Sequence, residues 1–389
     1  MQLDSLPTRR PAGACRGPRR RGGLLVAGLA ALAACAGASG RATAQPAAAA
    51  PDTAARPRVL ILATGGTIAG VQERPGTLDG YRAGVRSADE IVASVPELAR
   101  HAVLETEQFT NLPSPALTPA HWVALARRID SALARPDLAG VVVTHGTDRL
   151  EETAFFLYLA VRSDKPVALV GAQRPATGIS PDGPINLLAA VRTVASPAAV
   201  GKGVVVVMDD RIVSAREVRK HYQRVGGFAG GEMGLLGVVT SRGPTFFYAP
   251  VRRHGATTLF DVSRVDSLPT VPLVYSYPGG TGPSLGGPVP GLVVATTGFA
   301  PGERAAFDEL RRAGTVVVTA FPSGDNVNVP PRDRDDDEAG STASSPRRPP
   351  LPPLVVAQHL TPQKARILLM LALTRTRDPQ EIQQLFVEY

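Results

Sequence analysis

The chain is poor in sulfur chemistry. Two of its 389 residues are cysteines, Cys15 and Cys35, and both precede residue 45. Removal of a leader containing them leaves no disulfide, no thiol nucleophile and no thiolate metal site. Aromatic residues are scarce at 5%, and there is one tryptophan. Long apolar runs are scarce too: Leu24–Ala34 is well short of the roughly 20 residues that a membrane-spanning helix needs. Basic charge past the leader is also lacking. Residues 1–44 hold seven arginines and one acid, so they account for +6 of the net +8. The remainder is close to neutral and has no basic stripe interleaved with aromatics, which excludes nucleic acid as the expected partner.

What the N-terminus does have is the layout of an export signal. Arg16 to Arg21 form a basic region ahead of the apolar stretch Leu24–Ala34. Two cleavage readings stay open. Leu32-Ala33-Ala34-Cys35 resembles a lipoprotein box, which would make Cys35 a lipid anchor and the chain's only membrane contact. Ala42-Thr43-Ala44 fits ordinary signal cleavage after residue 44. Residues 45–57 are rich in Ala and Pro and read as a tether. The expected location is the periplasm or cell envelope.

From Val59 onward, β-branched runs alternate with helical stretches, which predicts an α/β fold built on parallel sheets. Strands are expected at Val59–Ala63, Val103–Thr106, Gly140–Thr144, Val167–Gly171 and Gly203–Met208. Helices are expected at Ala120–Ala134, Glu151–Arg162 and Pro184–Ala195, the first with Thr118 as N-cap and Pro119 in its first turn. The pattern weakens across Pro244–Asp266 and then resumes with strands at Leu273–Tyr277, Gly291–Thr296 and Thr315–Thr319, and helices at Pro301–Ala313 and Pro362–Thr374. Two α/β domains follow, a larger N-terminal one over 58–245 and a smaller C-terminal one over 271–389, joined by a linker at 246–270. Residues 330–353 carry an acidic run, then a Gly/Ser/Ala stretch and prolines; they read as a solvated insertion.

Two threonine-bearing segments follow predicted strands: Ala63-Thr64-Gly65-Gly66-Thr67-Ile68-Ala69-Gly70 and Thr144-His145-Gly146-Thr147-Asp148. Parallel strands of one sheet would bring both to the same carboxyl edge, where open α/β folds place their ligands. Thr67 would sit beside backbone N–H groups able to hold an oxyanion. A threonine hydroxyl still needs a polarising partner. Tyr81, in a loop with Gly80 and Gly84, could relay its proton. Asp148 could hold a substrate ammonium, Thr147 offers a second hydroxyl, and Lys220 follows a strand toward the same crevice. Each alone also fits a bland reading: a structural turn, a surface tyrosine, a solvated lysine. The spacing of the first segment is neither of the common phosphate-loop patterns. His145 and His221 do not form a ligand set with acids, so no metal and no cofactor are expected.

Taken in order, these segments resemble the bacterial L-asparaginase/glutaminase family, in particular its exported type II enzymes. The resemblance runs over residues 57–389. Glu151-Glu152-Thr153-Ala154, Gly171-Ala172-Gln173-Arg174-Pro175, Asp182-Gly183-Pro184-Ile185-Asn186-Leu187 and Thr361-Pro362-Gln363-Lys364-Ala365-Arg366 also support it. It implies catalytic roles for Thr67, Tyr81, Thr147, Asp148 and Lys220. Substrate binding falls to Ser114, Thr147 and Asp148, with Ser114 on the α-carboxylate and Asp148 on the α-amino group. The implied reaction is double displacement: Thr67 attacks the side-chain amide of L-asparagine or L-glutamine, ammonia leaves, and water releases the acid. Self-association as a homotetramer is also implied, with a carboxylate partner for Tyr81 supplied by an adjacent subunit from within about 325–345. Two positions depart from the pattern. Pro115 stands where well-known members carry Gln or Glu, and Phe299 where many carry an Asn that reaches a neighbouring site.

An amino-acid-binding protein of the periplasm shares the exported two-domain plan and is the alternative reading. It would need an Asp and a Ser for a zwitterion, but not Thr67, Tyr81 and Lys220 together. Processing of the leader is checked by mass spectrometry of the mature N-terminus. A diacylated Cys35 is expected if the lipoprotein box is used, and an unmodified Gln45 if Ala42-Thr43-Ala44 is.

Overall fold

The computed structural model describes residues 56–74, 80–324 and 350–389. The expected leader, all of the tether but its last two residues and all of the expected insertion except 350–353 lie outside the described residues. Strand β1 (Arg58–Ala63) shows how the centre is built. Val59 and Ile61 enter one apolar cluster while Leu60 and Leu62 enter another. That two-residue alternation between two cores is the mark of a parallel strand covered on both faces.

A short hairpin of β2 (Val71–Gln72) and β3 (Tyr81–Arg82) comes next, then α1 (Ala88–Ala93) and β4 (Val103–Gln108). Alternation continues through α2 (Pro119–Leu133), β5 (Leu138–Thr144), α3 (Leu150–Ala160), β6 (Val167–Val170), α4 (Gly183–Val194) and β7 (Val204–Met208). Helix α2 starts as its sequence predicts: Pro119 takes the first position, and the Thr118 N–H donates to His121 Nδ1 at 3.1 Å. The five strands β4, β1, β5, β6 and β7 are parallel neighbours.

After β7 the chain doubles back instead of crossing over, which the period of the sequence does not reveal. Asp209 and Asp210 adopt left-handed backbone, φ 55° and 59°. Two such residues in succession make the tight turn whose twist suits a hairpin. Strand β8 (Arg211–Ser214) therefore runs antiparallel to β7. Beyond the small β9 (Arg219–Lys220) and β10 (Phe228–Ala229) ladder, β11 (Leu235–Thr240) and β12 (Gly243–Phe246) complete an eight-stranded sheet ordered β12-β11-β8-β7-β6-β5-β1-β4. The weakly patterned stretch thus opens with a strand before becoming irregular.

The smaller sheet is parallel and ordered β13 (Leu273–Tyr275), β14 (Gly291–Ala295), β15 (Val316–Ala320), β16 (Val355–Val356). Helix α5 (Pro301–Arg312) crosses from β14 to β15, and α6 (Pro362–Ala372) and α7 (Pro379–Glu388) follow β16. This is the larger-plus-smaller α/β arrangement that the alternation predicts.

Helix α3 locks the two sheets to one core. Every one of its residues except Glu151 is buried, the pattern of a helix enclosed on all sides. Phe155, Phe156 and Leu157 share one apolar cluster with Leu368 and Leu371 of α6 and with Val293 and Val318 of the smaller sheet. Trp122 of α2 stacks on Phe156 at 5.6 Å and donates through Nε1 to Thr153 Oγ1 at 2.9 Å. Phe155→Ala should therefore lower stability by about 3–5 kcal/mol. A lower urea midpoint with an unchanged slope is the expected result.

Candidate active site

Glycine sets the spacing at the carboxyl edge of β1 and β5. Gly65 and Gly66 hold φ of 105° and 87°, backbone that favours glycine. A Cβ on Gly66 would lie 2.3 Å from the Gly146 Cα. The two threonine segments therefore touch backbone to backbone. A Cβ on Gly146 would fall 2.9 Å from Ser114 Oγ, and one on Gly65 2.7 Å from the Leu112 carbonyl oxygen. Three loops meet here with no room for a methyl group between them.

Thr67 begins a short turn, Thr67–Ala69, and is buried. Its Oγ1 lies 2.7 Å from the Tyr81 hydroxyl. The β2–β3 hairpin brings the phenol in, and a Cβ on Gly70 would sit 2.8 Å from the Tyr81 ring. The far limb of this hairpin returns onto the Thr67 turn: Gly84 N–H donates to the Gly66 carbonyl at 3.0 Å, and Val85 N–H to the Ala69 carbonyl at 2.8 Å. Tyr81 itself is 38% exposed, so the phenol joins the buried hydroxyl to the outside.

A second hydroxyl stands across the glycine contact. Lys220 Nζ donates to Thr147 Oγ1 and to Asp148 Oδ1, both at 2.8 Å. The Lys220 side chain is only 11% exposed, against 56% for Asp148. Lys220 is thus a largely enclosed, doubly bonded ammonium and not a solvated one, while the carboxylate keeps an open side. The Lys220 N–H donates to Glu151 Oε2 at 2.5 Å, tying its backbone to the first turn of α3. Ser114, also buried, accepts from the Arg149 N–H at 3.2 Å. All six residues singled out in the sequence therefore belong to one connected set of contacts. Phe299 does not join it; its ring packs on Phe307 at 4.9 Å.

His145 lies between the strand and Thr147 and is fully buried. Burial pulls its imidazole down to about 4, against the modest opposing pull of its bond to the Gly146 carbonyl. Nδ1–H donates to that carbonyl at 2.7 Å, so the ring is neutral and braces the turn. Among the described residues there is no group of three or more His, Cys, Asp or Glu placed to hold a metal ion.

Sequence reasoning passed over several supports. In the sequence, Glu151 figures only as the start of a predicted helix and of a family-like segment, with no role of its own. Asp182 accepts from the N–H groups of Gln173 and Arg174 at 2.8–3.1 Å and from Asn186 Nδ2 at 3.2 Å, fixing the loop after β6. Lys364 is 1% exposed on α6 and donates to three carbonyls of residues 215–218. Its segment counts toward the family resemblance without a role for the lysine, and a lysine opening a helix otherwise apolar on its inner face is the further signal for it.

Comparison with known proteins gives matches over most of the chain. Residues 58–252 match the family model "Asparaginase, N-terminal", and residues 270–386 match "Glutaminase/Asparaginase C-terminal domain". The chain is 40% identical to L-asparaginase 2 of Bacillus subtilis over 342 residues, 86% of this chain and 87% of that protein. It is 38% identical to L-asparaginase 2 of Escherichia coli, covering 86% and 94%. Glutaminase-asparaginase of Pseudomonas fluorescens biotype A is 35% identical, covering 85% and 90%. Among solved structures, the probable cytoplasmic L-asparaginase from Campylobacter jejuni superposes with a TM-score of 0.76 at 36% identity, over 86% of this chain and 100% of that one.

The glycine contact makes a sharp prediction. Gly66→Ala must push the two threonine segments apart, and displacement on the ångström scale lowers turnover by about 100-fold. Gly201→Ala is the control. It also has positive φ, 73°, but open space around its Cβ. It should cost about 1 kcal/mol in stability and leave ammonia release at the wild-type rate.

Proposed function

The chain belongs to the asparaginase/glutaminase family, and we propose that it is an amidohydrolase converting L-asparagine, and also L-glutamine, to the acid and ammonia. The observation that carries this reading is the pairing of two buried threonine hydroxyls with two proton-carrying side chains, Thr67 with Tyr81 and Thr147 with Lys220. The backbone contact of Gly66 with Gly146 sets the pairs side by side. A binding protein has no use for such pairs, since holding a zwitterion requires only charged and polar contacts at its two ends.

In this mechanism the substrate's α-ammonium sits against the open side of Asp148, and its α-carboxylate lies near Ser114. The side-chain amide then faces Thr67. Thr67 Oγ1 bonds to the amide carbon as its proton passes to the Tyr81 oxygen and the phenol's own proton moves on toward the amide nitrogen, while the N–H groups opening the Thr67–Ala69 turn stabilise the oxyanion. The carbon–nitrogen bond breaks, the nitrogen collects a proton and leaves as ammonia. An ester on Thr67 remains. Water, oriented by Thr147 with Lys220 as its proton partner, attacks that ester, restores the Thr67 hydroxyl and frees the acid. The exchange of protons between hydroxyls and their partners needs no metal in the scheme. Pro115 offers no polar side chain to the substrate's amino-acid end, so the chain relies on Ser114 and Asp148 there.

Export and assembly form part of the proposal. The basic and apolar leader supports delivery to the periplasm or cell envelope, and a relative from Haemophilus influenzae is named a probable periplasmic L-asparaginase. Homotetramer assembly is supported by family membership and by the exposed position of Tyr81, which leaves its phenol open to a carboxylate from a neighbouring chain.

Thr67→Ala and Thr147→Ala should each reduce ammonia release by at least about 1,000-fold, in line with the loss of a nucleophile or its partner. Asparagine should still bind to both. A coupled ammonia assay beside calorimetric titration makes the measurement; near-wild-type turnover in either variant would sink the mechanism. Tight binding of asparagine by the wild-type protein without ammonia release would instead favour the binding-protein reading.

A further inference from the structure

Lys220 is held in an unusual way for a residue at the centre of the site. Its strand, β9, is two residues long and pairs only with the two residues of β10, outside the main sheet. So short a ladder cannot fix a side chain by itself. The backbone leading to it is gripped from the smaller lobe. Lys364 Nζ donates to the carbonyls of Ala215 at 3.1 Å, Arg216 at 2.7 Å and Val218 at 2.6 Å. An ammonium has three N–H donors, so this set saturates it. The Phe155 ring lies 5.7 Å from the same nitrogen. Arg219 adds a second tie, donating to the carbonyls of Ser323 and, at 3.0 Å, Gly324.

We propose that Lys364 is a positioning residue for the reaction: from helix α6 it gathers residues 215–218 around one buried ammonium and so sets the place of Lys220 against Thr147 and Asp148. The carbonyls of residues 215, 216 and 218 turn toward one ammonium, whose charge offsets the repulsion among their oxygens. An apolar side chain of the same length fills the space but leaves three buried acceptors without donors. The segment then reopens to find water, and Lys220 shifts with it. Burial draws the Lys364 ammonium down to about 8, while Glu151 and Glu217 oppose that fall. Lys364 remains mostly protonated at neutral pH.

This inference rests on the catalytic reading of Lys220 given above, and the test separates the two. In Lys364→Met, kcat for asparagine should fall by about 10- to 100-fold with KM within about threefold, as expected for a misplaced proton partner with the substrate contacts kept. Lys364→Arg, which retains a cation with several donors, should recover part of that loss. The double variant Lys220→Met/Lys364→Met should be no slower than Lys220→Met alone, since Lys364 acts through Lys220. A purely structural lysine would give additive losses, and that result overturns the proposal. Should Lys364→Met fail to fold, Lys364→Gln, which keeps a polar end but supplies fewer donors to the three carbonyls, must give the same kcat-selective, non-additive loss; an unchanged kcat there overturns it. An inert Lys220→Met beside a fully active Lys364→Met removes this inference alone. Wild-type turnover in Lys220→Met removes both it and the reading of the site.

Discussion

Everything at the site depends on how close two backbone turns can come. Parallel strands stand about 4.8 Å apart, and the turns that leave them usually diverge under the bulk of their own side chains. Here glycines 66 and 146 face each other and the turns stay in contact. Two hydroxyls on different chain segments can then address one small molecule. In the proposed mechanism the α-ammonium site, the α-carboxylate site and the reacting carbon are all measured from that contact. Other residues supply chemistry, but their spacing is inherited from the absence of two methyl groups.

Much of this was readable from the sequence because it is local. Strand β1 announces itself by an unbroken apolar run, and Thr118-Pro119 marks the start of α2 within a residue. The threonine segments were legible as turns at strand ends, since glycine after a buried run has few other uses. What the sequence concealed is contact across distance. Nothing in Arg216-Glu217-Val218-Arg219-Lys220-His221 itself says that its lysine is largely enclosed; among so many charges it looks solvated, and short of the fold only the family resemblance joins it to Thr147 and Asp148. The reversal at Asp209–Asp210 was also hidden, because aspartate takes left-handed backbone without a sequence pattern that demands it. Phe299 packs within its own lobe, which no spacing argument could have told from a residue reaching outward.

The two lobes meet on α3, a helix buried at every position but Glu151. Helix α3 starts one residue past Arg149, beside the Thr147-Asp148 pair, and its body is enclosed by α2, the large sheet and α6. Its first turn therefore has a fixed direction, and Glu151 is carried rigidly to the Lys220 backbone. Core packing and polar geometry are one structure here: the apolar cluster that joins the lobes also orients the carboxylate. The buried neutral His145 completes the arrangement from the strand side.

The tie from Lys364 also sets an order in time. It follows Val218 by 146 residues, whereas both hydroxyls, the phenol and Lys220 itself are synthesised well before it. A growing chain can thus assemble the large sheet and all the groups that touch substrate while the cage around residues 215–218 still lacks its cation. Competence is the last thing the polypeptide acquires, and it arrives with a helix that touches no substrate at all.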